Sequence, residues 1–204
     1  MGTIRENINY IISAQKDLGY HMPSIINPPA TEKEIRIVEE KIGLKFNAAL
    51  IELFGTVNGI QLDGKTPSGL TGIIPIYDLL SLNDAIDYYN EMNWDDHKDI
   101  YEIEYELGHQ LFPFIHDGAG NCYWVDLNEG TDNYGKLYCT NTFGDRPDYL
   151  FNSLDFFFEA IKRGYERGIF SLDEEGYLNC QYKGWGVICH ELDKSIAYWG
   201  KYVS

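Results

Sequence analysis

Leu111-Phe-Pro-Phe114-Ile-His116-Asp117-Gly-Ala-Gly120-Asn121-Cys122-Tyr-Trp-Val-Asp126-Leu127 is the stretch that decides how this chain reads. Two apolar runs of strand length flank Asp-Gly-Ala-Gly, a turn made of residues that accept unusual backbone angles. The pair therefore reads as two antiparallel strands. Downstream, Asn128-Glu129-Gly130 turns the chain again, and Gly135-Lys-Leu-Tyr-Cys139 supplies a further strand. Strands at such short spacing favour a meander.

Upstream the period changes to that of helices. Ile4, Ile8, Ile11 and Ile12 fall at helical spacing, which predicts a helix over 3–18 stopped by Gly19. Residues 20–30 hold Pro23, Pro28 and Pro29 and read as an extended connection. Thr31 and Glu34 make a capping box for a helix with Ile35, Val38 and Ile42 on one face and Gly43 as its left-handed exit. Asn47 opens another, whose expected buried stripe is Leu50, Ile51, Phe54 and Val57, ended by the turn Asn58-Gly59. Residues 60–77 read as short strands around Asp63-Gly64. Ser81 or Asn83 caps a third helix with Ala85, Ile86, Tyr89 and Met92. Beyond the sheet, Ser153 caps a helix through Phe156, Phe157, Ala160 and Ile161 to Gly164 or Gly168. Helices, then a sheet, then a helix is the order of an α+β fold.

The 204 residues are 44% hydrophobic, enough for one core, so a single domain over 1–204 is expected. Lacking an apolar run of roughly 20 residues or a signal-peptide layout at its start, the chain is expected to be cytoplasmic, with no membrane partner. Its net charge of −16 argues against nucleic-acid binding. That charge is concentrated. Residues 66–135 carry fourteen acidic side chains and one basic one, Lys98, whereas 1–65 and 136–204 are nearly balanced. Such a field attracts a basic partner or cations; the plain alternative is a solvated, solubilising surface.

Chemistry is harder to find. Cys122, Cys139, Cys180 and Cys189 stand 17, 41 and 9 positions apart, without metal-ligand spacing, and read as reduced core thiols. The adjacent Cys189-His190 would point to opposite faces of a strand. A calcium loop starting at Asp117 would need an oxygen ligand at its third position and Glu at its twelfth, where Ala119 and Asn128 stand. Gly118-Ala-Gly120 opens no helix, so it is not read as a phosphate cradle. Neither Gly-x-Ser-x-Gly nor His-x-x-x-His occurs. No catalytic residue, metal ligand or cofactor is assigned. An enzyme using the acidic middle as a metal site stays as an alternative.

Taken in order, Leu53-Phe54-Gly-Thr-Val57-Asn58-Gly59, the 111–121 block, Tyr123-Trp-Val-Asp126-Leu127, Gly135-Lys-Leu-Tyr138 and Phe151-Asn-Ser153-Leu154-Asp-Phe156-Phe157 resemble the SMI1/KNR4 family, the core of the SUKH superfamily. One departure is Phe46-Asn47 where the family usually has Leu-Pro; Asn47 caps the helix instead. The resemblance implies an α+β domain with an antiparallel or mixed sheet flanked by helices, its core over 30–168 and residues 169–204 an extension. It also implies a non-enzymatic immunity protein that binds a secreted polymorphic toxin, often a nuclease, or else a regulatory or scaffold protein.

A toxin partner that grips phosphates is basic. The binding face is therefore expected in the acidic middle, at Asp95, Asp96, Asp99, Glu102, Glu104 and Glu106 around the aromatic anchors Trp94 and Tyr101. Asn58, Gly59, Asp117, Gly120, Asn121 and Asp126 are expected to build turns and to hold the fold.

Overall fold

The computed structural model describes residues 2–61, 66–92, 110–140 and 148–203. Five antiparallel strands follow one another in sequence order: β1 (Asp78–Leu79), β2 (Leu111–His116), β3 (Cys122–Asp126), β4 (Leu137–Thr140) and β5 (Asp148–Phe151). β2 and β3 are buried along their whole length, which is why they read as apolar runs and not as alternating ones. Asp117 closes the turn between them. Its Oδ1 accepts from the backbone N–H of Ala119 at 2.8 Å and of Asn121 at 2.9 Å, and the Asn121 amide donates to its other oxygen. Gly118 and Gly120 take φ of 72° and 101°, where a Cβ is penalised.

Six α-helices are described: α1 (Ile4–Asp17), α2 (Glu32–Ile42), α3 (Ala48–Phe54), α4 (Leu82–Met92), α5 (Leu154–Glu166) and α6 (Tyr182–Leu192). Side-chain caps start several of them. Thr31 Oγ1 accepts from Glu34 N–H at 3.2 Å while Glu34 Oε2 accepts from Thr31 N–H at 2.7 Å. Asn47 accepts from Leu50 N–H at 2.9 Å, and Ser153 from Phe156 N–H at 3.4 Å. Thr3 and Glu6 form a second capping box, ahead of α1.

Phe157 of α5 carries the sheet–helix contact, meeting Phe114 at 5.5 Å, Phe151 at 5.4 Å and Tyr123 at 5.7 Å between ring centroids. Burying a ring of this size stabilises by about 1.5–3 kcal/mol, and each ring pair adds about 0.5–1.5 kcal/mol. α1 packs on α5, where Gln15 Nε2 donates to the Tyr165 hydroxyl at 2.9 Å.

Two expectations change. The buried stripe of α3 is Leu50, Leu53 and Phe54, while Ile51 is 41% exposed. The helix also ends at Phe54, because Thr56 N–H and Val57 N–H both turn back to the Leu53 carbonyl; Val57 is buried beyond the helix. In 60–77, Asp63-Gly64 lies outside the described residues. The rest holds a 3-10 turn at Ser68–Leu70 and single bridges, Ile26–Ile60 and Ile74–Tyr77, instead of strands.

The C-terminal segment packs against the last strand. A hairpin of β6 (Phe170–Leu172) and β7 (Leu178–Cys180) leads into α6 and a 3-10 segment, Ala197–Tyr202. Trp185 and Trp199 meet Phe151 at 6.3 and 5.5 Å, and Trp199 Nε1 donates to the Leu150 carbonyl at 2.7 Å. Cys189-His190 sits in α6, not in a strand; adjacent helical side chains diverge by about 100°, so this pair does not converge either.

Candidate functional site

The strand register gathers one row of residues across one end of the sheet. Asp78 pairs with His116, His116 with Cys122 and Cys122 with Thr140, while Asp148 follows one step out of line, opposite Cys139. The Asp117–Asn121 turn belongs to this end. Asp78 is buried and accepts from Thr71 Oγ1 at 2.7 Å, whereas Asp148 is exposed.

α4 lies against this end on the β1–β2 side. Its start is fixed twice: Ser81 Oγ accepts from Asp84 N–H at 3.2 Å, and Asn58 Oδ1 accepts from Leu82 N–H at 2.8 Å. Gly59, at φ 67°, lets the chain pass close to Leu80 and Ser81. Ala85, Ile86 and Tyr89 bury the inner face. Asp84, Asp87 and Glu91 fall at i, i+3 and i+7 on another face, Asp84 half-buried and Asp87 and Glu91 exposed. Two like charges four residues apart weaken a helix by a few tenths of a kcal/mol, and a carboxylate in the last turn opposes the helix dipole. Asp84 helps the helix start, accepting from the Ser81 hydroxyl, but Asp87 and Glu91 do nothing for the helix that carries them; in the sequence they precede Trp94, Asp95 and Asp96.

Tyr88 joins α4 to the row: its hydroxyl lies 2.7 Å from His116 Nδ1. Burial lowers the affinity of His116 for a proton, with Asp117 and Asp84 partly offsetting this, and burial pushes the Tyr88 phenol up to about 12. The pair is thus a neutral imidazole on a neutral phenol.

On the β3–β5 side a cavity of about 330 Å³ opens between the sheet and the C-terminal segment. Tyr123, Cys139 and Leu150 line it from the sheet; Trp185, Tyr198 and Trp199 line it from the other side. Tyr77 stacks edge-on against Tyr123 at 5.0 Å, with its hydroxyl 3.8 Å from Cys139 Sγ. Burial pushes the Cys139 thiol up to about 12 and that of Cys180 to about 11, so neither is a nucleophile at neutral pH. At the mouth stand Asp148, Ile76 and Tyr182, the last two 50% and 69% exposed. Ile76 occupies the third position of a turn closed by Tyr77 N–H on the Ile74 carbonyl at 3.0 Å, with φ of 66°, a rare angle for a β-branched residue.

The expected partner-binding residues Trp94, Asp95, Asp96, Asp99, Tyr101, Glu102, Glu104 and Glu106 lie outside the described residues. Of the expected turn residues, Asp117, Gly120 and Asn121 come together in one turn, and Asn58 and Gly59 meet the start of α4. Asp126 sits at the far end of β3, 1% exposed; its burial raises its carboxyl, although it accepts from Asn128 N–H at 2.8 Å. The cavity went unread in the sequence because its residues come from seven separated stretches and most look like core. Among the described residues no three His, Cys, Asp or Glu side chains converge as metal ligands. No described helix is long and apolar enough to cross a membrane.

No curated protein matches the chain. The model of the SMI1 / KNR4 family (SUKH-1) matches residues 29–160. That span holds α2 to α4, the whole five-stranded sheet and the first half of α5, and leaves α1 and the C-terminal segment outside. With well over half of its length matched, and with helices around an antiparallel sheet, the chain belongs to the SMI1/KNR4 (SUKH-1) family.

Proposed function

We propose that this protein is a non-enzymatic, cytoplasmic immunity-type binding protein that neutralises a cognate polymorphic toxin, a nuclease being the class that fits best. The observation that carries the reading is the charge: fourteen acidic side chains against one basic within residues 66–135 of a SUKH-family chain. A nuclease presents cations where it grips phosphate, and an acidic surface both occupies that site and steers association. Asp95, Asp96, Asp99, Glu102, Glu104 and Glu106 supply the charge, and Trp94 and Tyr101 the desolvated anchors that carboxylates lack. The exposed acids of α4 extend the same field.

The test is co-purification with the product of the adjacent gene, followed by association kinetics at increasing salt. Association is expected to slow as salt rises and to slow again in the triple variant Asp95→Asn, Asp96→Asn, Asp99→Asn, with its melting curve unchanged. Salt-insensitive association, untouched by the triple variant, would leave the acids as a solubilising surface only. Capture of a cellular regulator in place of a toxin would favour the scaffold role.

A further inference from the structure

We infer that the cavity between β3–β5 and the C-terminal segment is a receptor for a cationic side chain, an arginine or lysine of the protein partner; this rests on the proposal above that the partner is basic. At about 330 Å³ it lies at the lower end of the range of small-ligand sites, about 300–1,000 Å³, and suits one long side chain better than a cofactor. Aromatic rings line it from both sides, and among the described residues no lysine or arginine lines it. Among the described lining residues the charged group is Asp148, exposed at the mouth. Aromatic faces with one carboxylate are the chemistry that holds a guanidinium or an ammonium: the rings attract the cation, and the carboxylate accepts its N–H groups.

The protein itself shows that these rings take a cation. Lys201, an exposed residue at the edge of the site, places its Nζ 3.7 Å from the ring centroid of Tyr198 and 5.2 Å from that of Tyr202. Tyr198 and Tyr202 both line the cavity, and the charge of Asp148 reaches Lys201 as well. A partner's cation entering the cavity meets the same rings and the same carboxylate. Lys201 is then a competitor, a resident cation displaced on binding. The mouth adds apolar contact. Ile76 and Tyr182 are large, exposed side chains flanking the entrance, and the turn carrying Ile76 keeps an unfavourable φ of 66°. Strain retained at a cavity mouth, in place of the glycine that would relieve it, accords with a side chain kept for contact. Ten of the described lining residues come from the family core and seven from beyond residue 160, so the cavity is a feature of this chain with its C-terminal segment in place.

The experiment uses the full-length protein alone, with Nα-acetyl-arginine amide as the probe and Nα-acetyl-citrulline amide as its uncharged twin, read by the indole N–H signals of Trp185 and Trp199 in two-dimensional NMR. Saturable shifts with the arginine probe and none with citrulline are expected. Asp148→Asn is expected to weaken arginine binding about tenfold, the loss of one charge-assisted contact. Lys201→Gln removes the resident cation and is expected to tighten it. Both positions are exposed, so folding is retained, and thermal melting verifies that. Equal shifts with both probes, no saturable shift with either, or arginine binding indifferent to both substitutions overturns the assignment. Because no toxin is present, arginine binding stands as a result even if co-purification fails. Its absence removes the cavity from the interface and leaves the immunity reading intact.

Discussion

Replacing Gly59 with alanine tests how the chain holds α4 in place. A Cβ built at Gly59 meets the Ser81 nitrogen at 2.2 Å and the Leu80 carbonyl carbon and oxygen at 2.3 and 2.5 Å, all of them backbone. Relief requires the Leu80–Ser81 backbone to retreat by about 1 Å to reach ordinary contact distance. That retreat disturbs the Ile60 N–H bond to the Leu79 carbonyl and the cap of Asn58 on Leu82 N–H. The φ of 67° adds roughly 1–2 kcal/mol for any residue with a Cβ, overpacking about 1–3 kcal/mol, and the weakened cap up to about 1 kcal/mol. Lower entropy of the unfolded alanine chain returns about 0.4–1 kcal/mol. The net loss is about 2–5 kcal/mol, a large part of the ~5–15 kcal/mol that holds an ordinary domain. Gly130 is the control, since it has φ of 83° but nothing within 4 Å of its would-be Cβ. Gly130→Ala therefore carries the backbone cost alone, about 1 kcal/mol. Urea denaturation of both variants at equal slope separates packing from conformation. If Gly59→Ala loses no more than Gly130→Ala, the close approach at the start of α4 is not what fixes that helix.

Thr31→Ala removes one acceptor of the α2 capping box and is expected to lower stability by about 1 kcal/mol in the same assay. Ile76→Gly relieves a positive φ at a half-exposed position; after the entropy of the added glycine it is expected to raise stability by about 0.5–1 kcal/mol. His116 holds its proton more weakly in the folded state than in the unfolded chain, because burial disfavours the imidazolium. The unfolded chain therefore binds the extra proton first, and stability falls as pH drops below about 6.5 towards the lowered folded value. The difference in stability between the wild-type protein and His116→Gln is expected to shrink in the wild type's disfavour over that window, and a pH-independent difference would show that the ring titrates alike in both states.

Local rules made most of the elements legible. Thr31, Asn47 and Ser153 announce helix starts because a cap is a contact within four residues, and Gly43 and Gly120 announce their angles because a Cβ would be penalised there. The stripe of α3 misled because Leu50, Phe54 and Val57 fit two patterns, and only tertiary packing chooses Leu53 over Ile51. α6 was illegible because Gly184 and Gly186 are poor helix formers. Their reason is non-local: a Cβ at Gly186 would stand 2.1 Å from the Tyr202 ring, and one at Gly184 would be 2.9 Å from Ile169 Cγ2. The cavity stayed hidden for the same cause, since Ile76, Tyr123, Asp148 and Tyr198 become neighbours only when the C-terminal segment folds onto β5.

The acidic segment and the cavity can be told apart by kinetics. The register row meets α4, which precedes the acidic segment in the sequence, through Tyr88 and His116, and the cavity through Asn121, Thr140 and Asp148. Exposed carboxylates act at a distance, chiefly on the rate of encounter, and their effect fades with salt because the Debye length is about 8 Å at physiological ionic strength. A side chain enclosed by rings acts after contact, on the rate of leaving, and salt screens it far less. Neutralising Asp95, Asp96 and Asp99 is thus expected to slow association of a basic partner with little change in dissociation. Asp148→Asn with Tyr182→Ala is expected to hasten dissociation and to leave the salt dependence of association where it was. Identical kinetic signatures from the two sets of substitutions would mean that one surface, not two, meets the partner.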